Sequence, residues 1–467
     1  MSLTVKYLCL LAFCSRIAAI QESLRIVQKH DRKEAVPMRQ TLDNYDDSMY
    51  IANISVGGQT IKGVLDTGSF ELVIFGQNCR TCGIARAYDE TNSTTYKGGF
   101  EQKELSYGSG TCVTTEGRDT VVTAGLQAQN QAFWLAYECQ MPLLWNAPFQ
   151  AIVGIGPPGQ PLFLAEESLD HMTEADAPFD LIMEAKHQVY IAKTRTDLTK
   201  KLGVSVFSTC LGREVGSPGY LIWNDVRPIE RPGMVTAHVP GKITWSVEVK
   251  GASFKPPLGG DMIDIACKEG CAAIVDTGTT LLGLDTVSYN SVFRYISQMN
   301  RDCSDLSVYP SLHFKVGDGE IVLPPSAFIA EVYGLASDTL GTLIHMNRPS
   351  AFQNASRLYE TGAPVMCQLM IMDMGTLETP FGPEIILGMS TFREYYVTFD
   401  LGTGRDDRSI FFSPANDQCD PMSAEEIELQ GDRARHIGLR NPGSTLIRPR
   451  RIDISKVRLP KKFDGKI

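Results

Sequence analysis

Two segments far apart in the chain share one pattern, an apolar run that ends in Asp-Thr-Gly and a hydroxyl residue. They are Val64–Ser69 and Ile274–Thr279. Each apolar run predicts a buried strand, and the glycine permits the sharp turn that ends it. A single Asp-Thr-Gly would indicate only a turn. Two copies predict two similar halves that each contribute one carboxylate, Asp66 and Asp276, to a shared site.

A pair of neighbouring carboxylates has a defined chemistry. Both cannot ionise easily, because the charge of one raises the pKa of the other. The pair then holds one proton, so the ionised member can take a proton from water while the protonated member donates to a substrate carbonyl. The pair titrates as a unit, so neither residue is assigned the proton. This chemistry needs no metal, no cofactor and no covalent intermediate.

The residues that follow each aspartate are predicted to support the pair. We expect Ser69 and Thr279 to hydrogen-bond the outer oxygens of the neighbouring carboxylates. The threonines inside the motifs could tie the two loops to each other. The supporting set is Thr67, Gly68, Ser69, Thr277, Gly278 and Thr279.

Further segments accompany the two motifs, and together they identify a family. They are Ser106–Gly110, Ala147–Gly156, Cys267–Cys271, Ile386–Gly388 and Arg393–Asp400. With the two Asp-Thr-Gly segments, they resemble the pepsin-like (A1-type) aspartic proteases. The resemblance runs from about residue 50 to about residue 414, which is most of the chain.

The resemblance implies both a fold and an activity. The expected fold is all-β and bilobal, with a central cleft and a few short helices. The first lobe would span residues 45–215 and the second 216–419. The expected activity is that of an aspartic endopeptidase that hydrolyses extended polypeptides and is favoured at acidic pH. Tyr107, Gly108 and Ser109 would form the flap that covers the substrate.

One position departs from the family pattern. The family often has a tryptophan in the strand after the first aspartate, where it hydrogen-bonds the flap tyrosine. Val73 occupies that place here and cannot donate a hydrogen bond. Tyr107 must therefore find another partner, or the flap is held more loosely. Trp134 or Trp145 could compensate, but no pattern in the sequence indicates it, and the favoured interpretation of both is a core residue.

A second class of function therefore stays open. Some pepsin-like proteins are catalytically inactive binding proteins, and these usually lose an aspartate or crowd its loop. Both Asp-Thr-Gly motifs are intact in this chain, which favours the enzyme. The valine at position 73 is the main feature that favours the binding protein.

Composition limits the partners. The chain has 467 residues, too many for one compact core, so two or more lobes are expected. Its net charge is -10, and the strongly basic stretch is confined to the C-terminus, so no nucleic-acid partner is expected. We expect a monomer that binds peptide or protein substrates.

The N-terminus predicts entry into the secretory pathway. Residues 1–19 combine Lys6, the apolar run Tyr7–Cys14 and small residues, the pattern of a cleaved signal peptide. The alternative is a membrane anchor, but the run is short for a span, and no other segment is apolar enough. Residues 20–44 could be a short inhibitory prosegment, with Lys29 near the carboxylates, or a linker. We expect a secreted protein or one in an acidic endomembrane compartment.

The secretory signal makes disulfides and glycans expected features. Of 12 cysteines, Cys9 and Cys14 lie in the signal and ten remain. The resemblance suggests Cys79–Cys82, Cys267–Cys271 and Cys303–Cys367. The remaining four would then pair as Cys112–Cys139 and Cys210–Cys419. A metal site is not expected, since Cys79–Cys82 has no second pair with zinc-site spacing. Asn92 and Asn354 are the candidate glycosylation sites.

The C-terminal tail, residues 420–467, opens acidic and ends basic. It has little apolar periodicity, so we expect a disordered extension. A sorting, processing or surface-binding role is the alternative, because a basic tail can attract an anionic membrane or an acidic partner.

Overall fold

The structure is a computed structural model. It describes residues 36–146, 148–195, 197–299, 303–346, 357–358, 364–429 and 447–461. The predicted signal peptide, Lys29 and Asn354 lie outside these ranges.

The described chain is mostly β. The strands of its first half are β1 (Met38–Tyr45), β2 (Met49–Val56), β3 (Gln59–Asp66), β4 (Leu72–Phe75), β5 (Lys97–Tyr107), β6 (Gly110–Thr123), β7 (Leu126–Gln140), β8 (Ala151–Gly154), β9 (Val206–Cys210), β10 (Gly219–Trp223) and β11 (Val235–His238). Those of its second half are β12 (Ser246–Lys255), β13 (Ile263–Ala266), β14 (Cys271–Val275), β15 (Leu282–Leu284), β16 (Ser311–Val316), β17 (Gly319–Leu323), β18 (Ile329–Tyr333), β19 (Arg357–Leu358), β20 (Pro364–Leu369), β21 (Ile371–Asp373), β22 (Glu378–Thr379), β23 (Gly382–Leu387), β24 (Tyr395–Asp400), β25 (Ser409–Pro414) and β26 (Arg450–Asp453).

Helices are fewer. The α-helices are α1 (Gln160–Glu174), α2 (Phe179–Thr194), α3 (Leu198–Lys201), α4 (Thr286–Gln298), α5 (Asp338–Leu343), α6 (Met389–Glu394) and a helix that includes residues 424–429. Short 3-10 helices span Gly83–Ala85, Glu90–Asn92, Pro142–Trp145, Leu306–Val308, Pro325–Ala327, Arg405–Asp407 and Ile454–Lys456. The expected all-β class with a few helices is confirmed.

The strands form three sheets. The largest has 13 strands in the order β11-β25-β24-β9-β10-β1-β2-β3-β8-β4-β7-β6-β5. The second has nine, with the path β17-β16-β12-β14-β23-β15-β21 and with β13 and β22 at its sides. The third has the order β19-β20-β18-β26. The first sheet joins strands from both halves of the sequence, as expected for two fused lobes.

The two halves repeat one local arrangement. In the first, β3 runs parallel to β8, and β4 is antiparallel to β8. In the second, β14 runs parallel to β23, and β15 is antiparallel to β23. Each catalytic-motif loop therefore leaves a buried parallel strand and returns beside the same neighbour. This repetition is what the two copies of the sequence motif predict.

A tight hairpin leads into the first motif. Val56 pairs with Gln59, which leaves Gly57 and Gly58 as a two-residue loop. Both glycines have positive φ, 56° and 81°. Hairpin loops of two residues favour such turns because they match the twist of the strands. The hairpin fixes the register of β3 and thereby the position of Asp66.

All five expected disulfides are formed. They are Cys79–Cys82, Cys112–Cys139, Cys210–Cys419, Cys267–Cys271 and Cys303–Cys367. The sulfurs of Cys79, Cys82 and Cys139 lie within 4.8 Å of one another. Metal binding by cysteine requires thiolates, and these sulfurs are committed to disulfides.

Two expected boundaries differ from the structure. Residues 38–44 are not a linker, because β1 pairs with β10 and β2 and buries Leu42. The tail is not disordered over residues 447–461, because it forms β26 and packs on the second lobe. Its apolar side chains are too few for a periodic signal, but they join a buried cluster with residues of the second lobe. The lobe boundary at 215/216 falls in the loop between β9 and β10 and stays a prediction.

Candidate active site

Asp66 is the last residue of β3. The strand pairs with β8 in register, so Asp66 lies opposite Gly154. The backbone N–H of Ile155 donates to the carbonyl of Asp66 at 2.9 Å and fixes the point where the strand ends. The side chain is only 4% exposed. The carboxylate is therefore held at the base of the cleft rather than on a free turn.

Asp276 occupies the equivalent place in the second lobe. It follows the last residue of β14, all of whose residues are buried. Its backbone N–H donates to the carbonyl of Leu387 in the neighbouring strand at 3.0 Å. The Cys267–Cys271 disulfide closes the turn immediately before β14. Both aspartates are therefore positioned by central strands.

The threonines of the two motifs interlock the loops. The N–H of Thr67 donates to the hydroxyl of Thr277 at 3.0 Å, and the N–H of Thr277 donates to the hydroxyl of Thr67 at 2.9 Å. Each hydroxyl also donates across the interface at 2.8 Å, to the carbonyls of Val275 and Leu65 respectively. These four bonds are buried and fix the distance between the aspartates.

One backbone donor serves both carboxylates. The N–H of Gly68 lies 3.0 Å from Oδ1 of Asp66 and 3.0 Å from Oδ1 of Asp276. A Cβ at position 68 would lie 2.5 Å from Oδ1 of Asp276, and one at Gly278 would overlap the carboxyl of Asp66. Only glycine allows the loops to approach this closely. The structure thus brings the two sequence motifs into one site.

The surroundings of Asp276 favour its protonated form. Burial, together with the charge of Asp66, raises its pKa to about 7. Hydrogen bonds act in the opposite direction, from Thr279 Oγ1 to Oδ2 at 2.5 Å and from Gly278 N to Oδ1 at 2.6 Å. The pair therefore retains a proton in acid and loses it as the pH rises through about 7.

Ser69 differs from its expected role. Thr279 makes the predicted bond to its aspartate, but the buried hydroxyl of Ser69 has no hydrogen-bond partner among the described residues. The physical reason is that Oδ2 of Asp66 faces Arg458, at 3.4 Å from Nη2. The cation takes the position that the serine hydroxyl was expected to serve.

The flap is the hairpin of β5 and β6. Tyr107 ends β5 and pairs with Gly110, so Gly108 and Ser109 form the tip. The φ of Gly110 is 139°, and a Cβ there would collide with the backbone of Gln140. Glycine is therefore required for the hairpin to bend against β7.

The tyrosine of the flap has no hydrogen-bond partner to replace the missing tryptophan. Tyr107 is 4% exposed, and its hydroxyl has no partner in the described part of the chain. Val73 pairs with Trp134, which is buried and stacks under the guanidinium of Arg195 at 4.2 Å from its ring centroid. Trp145 is 58% exposed and is not a core residue. Neither tryptophan compensates for the valine.

Sequence comparison agrees with this geometry. The family described as eukaryotic aspartyl protease matches residues 49–408. The chain belongs to the eukaryotic aspartyl protease family. Its members are aspartic-type endopeptidases, and this chain is one: a hydrolase that acts on peptide bonds. The match covers both Asp-Thr-Gly motifs and the flap.

Individual relatives are pepsins. The chain is 26% identical to pepsin A of Bos taurus over 379 residues, which are 78% of this chain and 85% of the relative. It is 25% identical to pepsin A of Gallus gallus over 384 residues, 80% and 88% of the two chains. It is 28% identical to pepsin A of Canis lupus familiaris over 324 residues, 67% and 75%.

The C-terminal tail of this aspartyl protease lies in the cleft. Strand β26 runs parallel to β18, and the chain then passes between the aspartates and the flap. The N–H of Gly108 donates to the carbonyl of Pro460 at 2.7 Å, and Ser109 Oγ accepts from the N–H of Leu459 at 3.1 Å. Apart from the basic character of the tail, no pattern in the sequence predicts this contact.

Glu71 is a second acidic group under the flap that the motifs did not reveal. It is buried, and burial alone would raise its pKa. The ammonium groups of Lys461 and Lys103 act against burial and hold the pKa well below its usual range. Both lysines form ion pairs with its two oxygens, and the Lys103 pair measures 3.0 Å. Glu71 is therefore an ionised carboxylate that binds two lysine ammonium groups.

The remaining predictions concern the surface. Asn92 is exposed at the end of a 3-10 helix, where its amide donates to Asp89 at 2.7 Å. Within the described ranges, no helix is long and apolar enough to cross a membrane. The disulfides indicate an oxidising environment on the secretory route.

Proposed function

We propose that Asp66 and Asp276 together activate the water that attacks the peptide bond. The main support for this proposal is a hydrogen-bond donor that the two carboxylates share. The N–H of Gly68 contacts one oxygen of each carboxylate at 3.0 Å. In the active enzyme, the ionised member takes a proton from water and the protonated member donates to the carbonyl of the substrate. Thr67, Thr277 and Thr279 position the pair.

The flap completes the site. Gly108 N–H and Ser109 Oγ face the cleft and already bind backbone atoms of a peptide segment. An extended substrate would use the same groups, and Tyr107 would exclude water over the reacting bond. We infer that the substrate is an extended polypeptide, as the sequence predicts.

Acidic conditions favour this chemistry because the pair must keep one proton. Since the pKa of Asp276 is raised to about 7, the protonated form dominates below that pH. We propose a monomeric, glycosylated protease of the secretory route that carries no cofactor or metal and binds no nucleic acid. It is released from the cell or held in an acidic compartment after signal removal.

The test is cleavage of a mixed peptide library from pH 3 to pH 7. Because residues 458–461 lie between the aspartates and the flap, the chain is assayed both unchanged and with Arg458→Ala and Lys461→Ala. Asp66→Asn should abolish cleavage. Asp261→Asn, the same change at an exposed loop position, should not. Cleavage that survives Asp66→Asn would refute the mechanism. A folded chain that binds peptides without cleaving them at any pH would support the binding-protein alternative.

A further inference from the structure

We propose that residues 447–461 are a built-in inhibitor, which closes the substrate cleft from the C-terminal end of the chain and must be displaced before a peptide can bind. This inference rests on the proposed function of the aspartates and the flap. It concerns the regulation of that site.

The segment uses backbone-binding groups from both lobes. On the flap side, these are Gly108 and Ser109. On the second lobe, the N–H of Arg458 donates to the hydroxyl of Thr280 at 2.9 Å, and the N–H of Thr280 donates to the carbonyl of Arg458 at 3.2 Å. An extended substrate would need these same groups. The tail and a substrate therefore exclude each other.

Charge holds the segment at two points. Arg458 Nη2 lies 3.4 Å from Asp66 Oδ2, and Lys461 forms an ion pair with Glu71. Arg458 is 3% exposed, so its charge is buried with the carboxylate that it faces. The guanidinium also occupies the space beside Oδ2 of Asp66. The contact therefore blocks access of water and substrate to this carboxylate.

The arginine is not a fully satisfied structural residue. Its second terminal nitrogen, Nη1, is buried and has no hydrogen-bond partner within the described ranges. A buried cation with an unsatisfied donor lowers the stability of the closed state. The closed state is therefore less stable than it would be if all the donors of the arginine were satisfied.

The rest of the segment anchors it to the second lobe. Ala330 to Tyr333 pair with Arg450 to Asp453 in a parallel ladder. Apolar side chains then fill a buried cluster with residues of β18, β21 and α5, namely Ile452, Ile454, Val457 and Leu459. Because the segment belongs to the same chain, its effective concentration at the cleft exceeds that of a free peptide.

This inhibitor takes the role that the sequence suggested for Lys29. The expected prosegment precedes the catalytic lobes and would place one basic side chain on the aspartates. In the structure, Arg458 provides that cation, from the opposite end of the chain. The inhibition can therefore persist whether or not residues 20–35 are removed.

The test compares full chains that differ only in the tail. Arg458→Ala/Lys461→Ala removes the two cations in the cleft. Arg448→Ala removes a charge from an exposed position of the tail and serves as the control. We expect kcat/KM on a library-derived peptide to rise at least tenfold in the first variant and to stay within twofold of the unchanged chain in the second.

A second measurement does not depend on cleavage. A labelled peptide selected from the library by binding is titrated into two full chains that carry Asp276→Asn, one with Arg458→Ala/Lys461→Ala and one without, and binding is followed by fluorescence anisotropy. We expect the peptide to bind at least tenfold more tightly to the chain that lacks the two tail cations.

Each outcome separates the two proposals. Equal kcat/KM for all chains, with clear cleavage, would overturn the inhibitor and leave the endopeptidase mechanism intact. Tighter binding to the chain without the tail cations, with no cleavage by any chain, would support the occupied cleft and refute the proposed chemistry. Equal binding to both chains would overturn the inhibitor.

Discussion

Arg458 and Asp66 face each other across 3.4 Å, although 392 positions separate them in the sequence. Both side chains are almost fully buried. A cation and a carboxylate in this setting depend on each other, since removing either partner leaves a buried charge unpaired. The relationship links the last described segment of the chain to its first catalytic loop.

The interlocked threonines should contribute strongly to stability. Thr67→Val removes a hydroxyl that accepts from Thr277 N and donates to Val275 O. We expect the free energy of unfolding to fall by about 2–4 kcal/mol, because two buried backbone groups lose their partner. Denaturant titration measures this change. Thr391→Val is the control: that hydroxyl is buried without a partner, so stability should hold or rise. Equal losses in both variants would contradict the account.

The approach of the two loops should tolerate no side chain at position 68. Gly68→Ala places a Cβ 2.5 Å from Oδ1 of Asp276 and pushes the aspartates apart. We expect cleavage to fall at least about 100-fold, since a displacement of about 1 Å is enough for such a loss. Gly404→Ala meets open space at an extended backbone position and should keep full activity. Retention of more than a tenth of the rate by the Gly68→Ala chain would argue against a hydrogen-bond donor shared by the two aspartates.

Much of this site was predictable from the sequence because its residues repeat. The aspartates, the threonines and the glycines occur twice with the same apolar approach, and strand ends fix their geometry locally. The resemblance predicted three of the disulfides, and the four remaining cysteines pair as expected, although Cys210–Cys419 joins residues 209 positions apart. The prediction for Ser69 was wrong because Arg458 occupies the position beside Asp66 that was expected for the serine hydroxyl. Arg458 belongs to a distant segment, and no local sequence pattern connects it to Ser69.

The tail escaped prediction for a related reason. Strand β26 buries alternate residues but has only four, and a 3-10 helix interrupts the chain before Val457 and Leu459. So short a pattern does not stand out in a sequence. Glu71 escaped for a similar reason, because one glutamate after a motif gives no indication that two lysines will surround it.

A buried carboxyl outside the cleft should make stability depend on pH. Burial raises the pKa of Glu384, in β23, from its ordinary value of 4.5 to about 7. The folded chain therefore binds more protons than the unfolded chain between these values, and stability falls as the pH rises across that window. We expect Glu384→Gln to raise the free energy of unfolding by about 3 kcal/mol at pH 7 and to have no effect at pH 4. The same change at the exposed Glu248 should leave the free energy of unfolding unchanged at both pH values. A pH-independent effect of Glu384→Gln would refute the assignment.

The pairing of Glu71 with Lys461 should survive mild acid. Because the pKa of Glu71 is depressed, its stabilising contribution is complete above the unfolded value of about 4.5 and is lost only as the pH falls below it. We expect the unchanged chain to remain inhibited at pH 5. Glu71→Gln and Lys461→Gln should each raise kcat/KM several-fold there, with the double variant little above either single one. Independent, additive effects would show that the two residues do not act as a pair.

The central claim is most directly tested by one rate comparison at pH 4. Initial cleavage of a library-derived peptide is measured for the Arg458→Ala/Lys461→Ala chain with and without Asp276→Asn. The account predicts a rate at least about 1,000-fold lower with asparagine, because the proton shared by the aspartates is lost. Retention of the parent rate by the asparagine chain would contradict it.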